Sequence, residues 1–419
     1  MNETCFLIRK AFYKMLLLVA ILSLAGSVAP EQVHPPAFQG ACSSFCLHNG
    51  GYAVFGSNYD NEIREGLLFV NQRGVTKSGW EAGTTGKVAR WTAEYGSVTF
   101  NLAGAQLAWA GMNEAGLVIS TMWVAETLSP IPDERPPLVS ALWVQYQLDT
   151  CATLEDVMAS DARVRIADTV DHYLVCDRSG DCAAIEFLEG KTLFHSGDAM
   201  PVEALTNAAY EEAVEGWQEG HLQDDGLGIL AERLANFEPE DTPTAVAYAF
   251  ETLSQVSGQA TGGTPTEWSI VFDTENLLVH FRTSGNPQIR TVDFAQLDFA
   301  CGTPVQMLDV YAPLSGDISH ELDRYTFEAN LQHTLHFLEQ WGSVDVSPLE
   351  VEVLGRGMTS FPCERPAAPY QEERKLIVSP VVAWAGLALF HRLWLVGIVV
   401  GLGVAALVVW RAQAGGRRG

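Results

Sequence analysis

The chain has 419 residues, 47% of them hydrophobic, so it can bury a sizeable core in one large domain or two ordinary ones. It carries 51 acidic against 25 basic side chains, a formal charge of -26. A surface that acidic repels phosphate backbones and excludes nucleic acid as a natural partner.

The first segment has a basic start (Arg9, Lys10, Lys14), an apolar run from Met15 to Gly26 and then small residues. That layout reads as a secretory signal over residues 1–29. An N-terminal anchor helix is the alternative, for which the run is short. From Cys42 onward the chain is strand-rich: "YAVFGSNY", "GLLFVNQ", "QLAWAGM" and "GLVISTMWV" are short β-type runs, and "NEAGL" between the last two is a tight hairpin connection. "PPLVSALWVQYQLDTCATLEDVMAS" predicts two helices, the second capped by Thr153 with Asp156 in the first turn. Strands return at "HYLVCD", "CAAIEFLEG" and "KTLFHSG". Helices follow at "GLGILAERLANF" and "TPTAVAYAFETLSQV", then a hairpin at "EWSIVFDTENLLVHFRT" and an amphipathic helix across "ELDRYTFEANLQHTLHFLEQW". This order predicts an α+β fold of large antiparallel sheets with segregated helices. Nucleotide-binding glycine loops are absent from the sequence.

Beyond a linker and juxtamembrane segment (residues 367–392), in which Val381 to Phe390 is apolar, Leu393 to Trp410 is uncharged and is followed by Arg411, Arg417 and Arg418. That run is long enough for a transmembrane helix with a cytoplasmic tail over 411–419. The expected layout is a catalytic domain at 42–366, outside the cytoplasm, tethered by one C-terminal anchor. Cys176 and Cys182 flank a "DRSGD" turn and suit a cross-hairpin disulfide; Cys301 and Cys363 are candidates for a second. The Cys and His spacings give no zinc signature.

Cys42 has three readings: a lipid anchor, a half-cystine, or a nucleophile. The anchor fails on spacing, since Cys42 lies well past the apolar run and Gln39-Gly40-Ala41 is no lipobox. The half-cystine reading fits Cys46 better than Cys42. The nucleophile reading rests on four stretches in order: Cys42 followed by "YAVFGSNYD", then "GMNEAGLVIS", "EALTNAAY", and "EWSIVFDTENLLVHFRTSGNPQIRTVDF". Over residues 42 to about 300 this pattern resembles the choloylglycine hydrolase family of linear amide C–N hydrolases, which includes bile salt hydrolases and penicillin V acylases.

The resemblance implies an N-terminal-nucleophile (Ntn) hydrolase fold, a four-layer αββα sandwich of two antiparallel sheets. It implies that residues 30–41 are a short propeptide whose removal leaves Cys42 first in the mature chain. The freed α-amine then serves as base for the thiol. Residue by residue, Asp60 matches the aspartate that holds this amine, Asn207 the oxyanion-hole asparagine, and Arg233, less specifically, a distal arginine. No cofactor or metal is implied. The implied partner is a small-molecule N-acyl amide; the membrane is expected as a partner from the C-terminal apolar run, and a homo-oligomer is compatible with both.

Two positions depart from the family. Ser57 stands where an arginine is usual, so catalysis is weakened unless another cation such as Arg64 substitutes. Restoring arginine at 57 is expected to keep the fold and raise turnover. Trp123 stands where the family has Asn or Tyr and would shape the acyl pocket toward flat or apolar groups, or simply pack in the core. His172, His195 and His280 lie in strand-like runs and read as structural. The rival to an enzyme is a catalytically impaired relative acting as a membrane-anchored binding module.

Overall fold

The computed structural model describes residues 42–340 except 50–51, 80–87, 170 and 221–225, together with Cys363. Its main strands are β1 (Ser43–Asn49), β2 (Tyr52–Asp60), β3 (Leu67–Asn71), β4 (Ser97–Asn101), β5 (Ala108–Asn113), β6 (Val118–Trp123), β7 (Asp171–Cys176), β8 (Cys182–Leu188), β9 (Lys191–Ser196), β10 (Ala204–Leu205), β11 (Thr266–Asp273), β12 (Leu278–Thr283), β13 (Asn286–Asp293) and β14 (Gln306–Asp309). Its main helices are α1 (Trp143–Thr150), α2 (Leu154–Ser160), α3 (Tyr210–Gln218), α4 (Leu227–Ala235), α5 (Thr242–Gln255) and α6 (Phe327–Gln340).

The strands form two large sheets. One runs β10-β1-β2-β11-β12-β13, with Gly316–Asp317 at its edge; the other runs β9-β8-β7-β6-β5-β4-β3-β14, with Asp323–Arg324 at its edge. Neighbours pair antiparallel except Gly316–Asp317, which runs parallel to β13. The pleat sends alternate side chains to opposite faces. Phe55 on β2 meets Phe272 on β11, and Phe100 on β4 reaches across to Trp268, Phe272 and Phe281. These aromatics fill the space between the sheets. The other face of β2 meets α5, where Asn58 donates to the Leu253 carbonyl at 2.8 Å. On the far side, α1 seats Leu148 over Gly111, where any Cβ would stand 2.8 Å from Leu148 Cδ1. Helix, sheet, sheet and helix therefore stack as four layers.

The expected elements are largely present. Thr153 and Asp156 form a reciprocal capping box at the start of α2. Cys176–Cys182 and Cys301–Cys363 are both disulfides. Cys46, favoured as a half-cystine, is instead a free buried thiol. The late helix begins at Phe327, well inside the expected stretch. Thr326 stops it there by accepting the Ala329 N–H on its hydroxyl and the Asn330 N–H on its carbonyl. Helix α3 was not foreseen. The expected signal, propeptide, linker, transmembrane helix and tail lie outside the described residues. No described helix is long and apolar enough to cross a membrane.

Two family-like motifs prove to be structural knots. In "GMNEAGL", buried Asn113 accepts the Ala115 and Leu117 N–H groups and donates to the Leu148 and Cys151 carbonyls at the end of α1. In "NPQIR", Asn286 donates to the Ala312 and Leu314 carbonyls, while fully buried Arg290 donates to the Val310 carbonyl and lies over the Phe281 ring. Asn113→Ala leaves buried carbonyls and N–H groups unpaired at once. It should lower the unfolding free energy by roughly 3 kcal/mol, read as a reduced urea midpoint with unchanged slope.

Candidate functional site

Cys42 sits at the start of β1, and strand register decides its neighbours. Ser44 pairs with Leu205 and Phe45 with Ala204, so the ladder carried two residues back sets Cys42 beside Asn207. On the other side Ser43 pairs with Asn58, so the next step sets Cys42 beside Tyr59. The thiol is 1% exposed. Its sulfur accepts the Asp60 N–H at 3.4 Å and lies 3.8 Å from the Asp60 carbonyl.

The electrostatics of this pocket are lopsided. Burial first, then the Asp60 charge, push the Cys42 thiol far above the ordinary range, and Asp171 adds to the push. Asp60 is fully buried, and removal from water raises its carboxyl to about 8. The Thr266 hydroxyl and Gly258 N–H pull it partly back, yet neither carboxyl oxygen completes a hydrogen bond of good geometry. Among the described residues no ion pair reaches Asp60. Nearby, desolvation and then the Asp168 charge raise Asp171 to about 7. The full chain thus has two carboxyls and a thiol together, and the Cys42 nitrogen is an amide because Ala41 precedes it.

Asn207 donates one Nδ2 hydrogen to the Trp123 carbonyl at 2.7 Å. Its second Nδ2 hydrogen remains for another acceptor, and its Oδ1 is buried with no partner. The structure therefore brings Cys42, Asp60, Asn207 and Trp123 together. The walls are aromatic: the Tyr59 ring packs against Trp268 at 4.6 Å and Trp109 at 5.2 Å.

The other two sequence candidates stand apart. Ser57 is sealed between the sheets, 1% exposed, its hydroxyl 2.7 Å from that of Ser120. The arginine usual at this position would be buried against the Ser120 hydroxyl and would need a charged partner there. Arg64 does not replace it, since it pairs with Glu267 at 3.4 Å and lies over Tyr311. Arg233 is bound to α5 rather than turned to the nucleophile. It donates to Thr252 at 2.9 Å, meets Glu251 and stacks 3.6 Å from the Tyr248 ring centroid.

Sequence reasoning passed over Asp171 and Glu186 and read His172 and His195 only as structural; the last three form one buried group. His172 reaches Glu186 at 3.0 Å and the Thr206 carbonyl at 2.7 Å, while His195 reaches Glu186 at 3.0 Å. A cross-strand pairing of "DHY" with "IEF" was the signal available. Burial alone would raise Glu186; His172, His195 and the Tyr210 N–H outweigh it and hold the carboxyl at about 2. For a metal, the sulfurs of Cys46, Cys176 and Cys182 lie close together, but two of them are joined as a disulfide.

The raised Asp60 carboxyl has a pH signature. The folded chain keeps a proton that the unfolded chain releases, from the usual aspartate range near ~4 up to about 8. Stability from this group is full below that window and is lost as pH rises through it. In the unprocessed Cys42→Ala chain, Asp60→Asn should flatten the decline in urea midpoint across this window. An identical decline in both chains would place the carboxyl in water.

No family model matches the chain. It is 26% identical over 319 residues to a penicillin V acylase of Pectobacterium atrosepticum, covering 62% of this chain and 82% of that protein. The solved penicillin V acylase of Agrobacterium tumefaciens matches with a TM-score of 0.61 and 24% identity, covering 68% of this chain and 98% of the other. A mutant conjugated bile acid hydrolase of Clostridium perfringens matches at 0.53 and 14%, covering 66% and 98%. These two share the sandwich fold. The chain is thus similar to a penicillin V acylase and shares its fold with a conjugated bile acid hydrolase, both members of the choloylglycine hydrolase family of Ntn hydrolases.

Proposed function

We propose that the chain hydrolyses linear amides, with the Cys42 thiol as nucleophile once the Ala41–Cys42 bond is cut. One observation carries this reading: a buried thiol lies beside a buried carboxyl that no described cation pairs. A free α-amine at Cys42 supplies the missing cation when it takes up the thiol proton. Asp60 holds it, and its presence lowers the cost of ionising the thiol. The thiol proton passes to the α-amine, and sulfur adds to the amide carbonyl. The oxyanion takes the free Nδ2 hydrogen of Asn207 and a backbone N–H at Trp123; one such donor is worth about 3 kcal/mol. The C–N bond then breaks, the amine leaves with the proton from the α-ammonium, and water cleaves the thioester to acid and thiol.

The homologues named for penicillin V and conjugated bile acids point to N-acyl amides with an apolar acyl group. Trp123 and the Tyr59, Trp109 and Trp268 rings suit such a group. The second reading, a binding module, is favoured by Ser57, which puts no cation beside the nucleophile. Intact-mass analysis separates the two. Wild type should begin at Cys42 and release amine from penicillin V or a conjugated bile acid; Cys42→Ala should keep Ala41 and release none. Retention of Ala41 in wild type supports the binding module, and normal processing of Cys42→Ala assigns the cut to another protease.

We also propose that Leu393–Trp410 anchors the catalytic domain to the outer side of a membrane. Full-length protein should stay with membranes through a carbonate wash, and a chain ending near Pro366 should be released soluble and active. Loss of the full-length protein into the wash would remove the anchor from this account.

A further inference from the structure

The His172–Glu186–His195 group lies beside the candidate site, and the mechanism above does not use it. His172 and Glu186 are both 0% exposed. The partners fix the protons. The Thr206 carbonyl can only accept, so His172 Nε2 donates to it, and Nδ1 lies 3.0 Å from Glu186. The other Glu186 oxygen takes the His195 Nε2 hydrogen. The Tyr210 N–H donates to the first oxygen at 2.9 Å.

These bonds grip one short segment from two ends. Thr206, immediately before Asn207, is held by its carbonyl through His172. Tyr210, at the start of α3, is held by its N–H through Glu186. The Tyr210 hydroxyl further ties the segment back to Val202, donating to its carbonyl at 2.9 Å. His195 covers the Tyr210 ring with centroids 5.1 Å apart. Asn207 lies between the two grips, and its side chain is then aimed by the Trp123 carbonyl. A buried ionic group is an expensive way to hold a turn, since well-packed apolar residues of similar volume do as well or better for stability. What it adds is direction, because each bond fixes an angle as well as a distance.

We infer that His172 and Glu186 are positioning residues that set the Asn207 amide for the oxyanion, an inference that rests on the amide-hydrolase reading. They touch no substrate. Losing a positioned oxyanion donor costs about 10²–10³ in kcat, so loosening it should cost about tenfold while KM moves little.

The kinetic test is a double-mutant cycle on release of amine from penicillin V or a conjugated bile acid. Glu186→Gln should lower kcat about tenfold with KM within about twofold, and should cost nothing further when added to Asn207→Ala. His172→Gln, which can still donate to the Thr206 carbonyl, should retain more kcat than His172→Leu. Additive losses, or a change confined to KM, overturn the inference. The positional claim is also read without activity. Amide hydrogen exchange over residues 204–210 should accelerate at least about tenfold in Glu186→Gln while the remaining strands of that sheet stay protected. Unchanged protection there overturns the inference, whatever the chain hydrolyses. Wild type that releases no amine counts against the amide-hydrolase reading, and exchange then decides the positioning on its own.

Discussion

Register along β1 is the constraint on which the site depends. A strand end has two lateral neighbours, and here the segment that leaves β10 carries Asn207 on one side while β2 supplies Tyr59 and Asp60 on the other. A slip of one residue would turn every side chain of β1 to the opposite face and carry the Cys42 sulfur out of the inter-sheet space. The aromatic contacts between the sheets make that slip costly, because Phe45, Phe55, Phe100, Trp268 and Phe272 are all buried to within a few percent. Packing far from the sulfur thus decides which atoms it meets.

Charge is the second constraint. A buried carboxyl and a buried thiol lie together with a second, partly buried carboxyl at Asp171, and desolvation disfavours the ionised form of each. The nearest basic side chains proposed from sequence are committed elsewhere, Arg64 to Glu267 and Arg233 to α5. A site of this composition cannot be completed by a rotamer change. It can be completed by a new chain terminus, which adds a cation without adding a residue.

The fold was legible because its signals are local. Alternating apolar runs, the Thr153 cap and the cysteines flanking a turn each act over a few residues, and each appears as read. Cys42, Asp60, Asn207 and Trp123 were legible through motif order, which the register then brought together. What stayed hidden depends on contacts between distant residues. Ser57 looks like a vacancy in sequence and is a packed hydroxyl pair in space. Arg233 matched a motif of low specificity, and its partners lie on the next helix. His172, Glu186 and His195 come from three strands, so each looked solitary until the sheet aligned them. The "GMNEAGL" and "NPQIR" stretches pointed to the family for a structural reason, since each satisfies buried backbone groups that the fold would otherwise leave orphaned.

The suppressed thiols have a consequence for how the chain survives oxidising surroundings. Three described cysteines, Cys42, Cys46 and Cys151, remain free beside two disulfides, and Cys46 lies against one of them. Disulfide exchange and peroxide attack both need a thiolate. Burial drives Cys42 and Cys46 far above the ordinary thiol range and lifts Cys151 to about 11, so at neutral pH all three stay as S–H. Once folded, the chain is therefore protected from scrambling its own bridges. Under the processing proposed above, its most exposed moment chemically is the interval after Cys42 gains a neighbouring cation and before a substrate covers it.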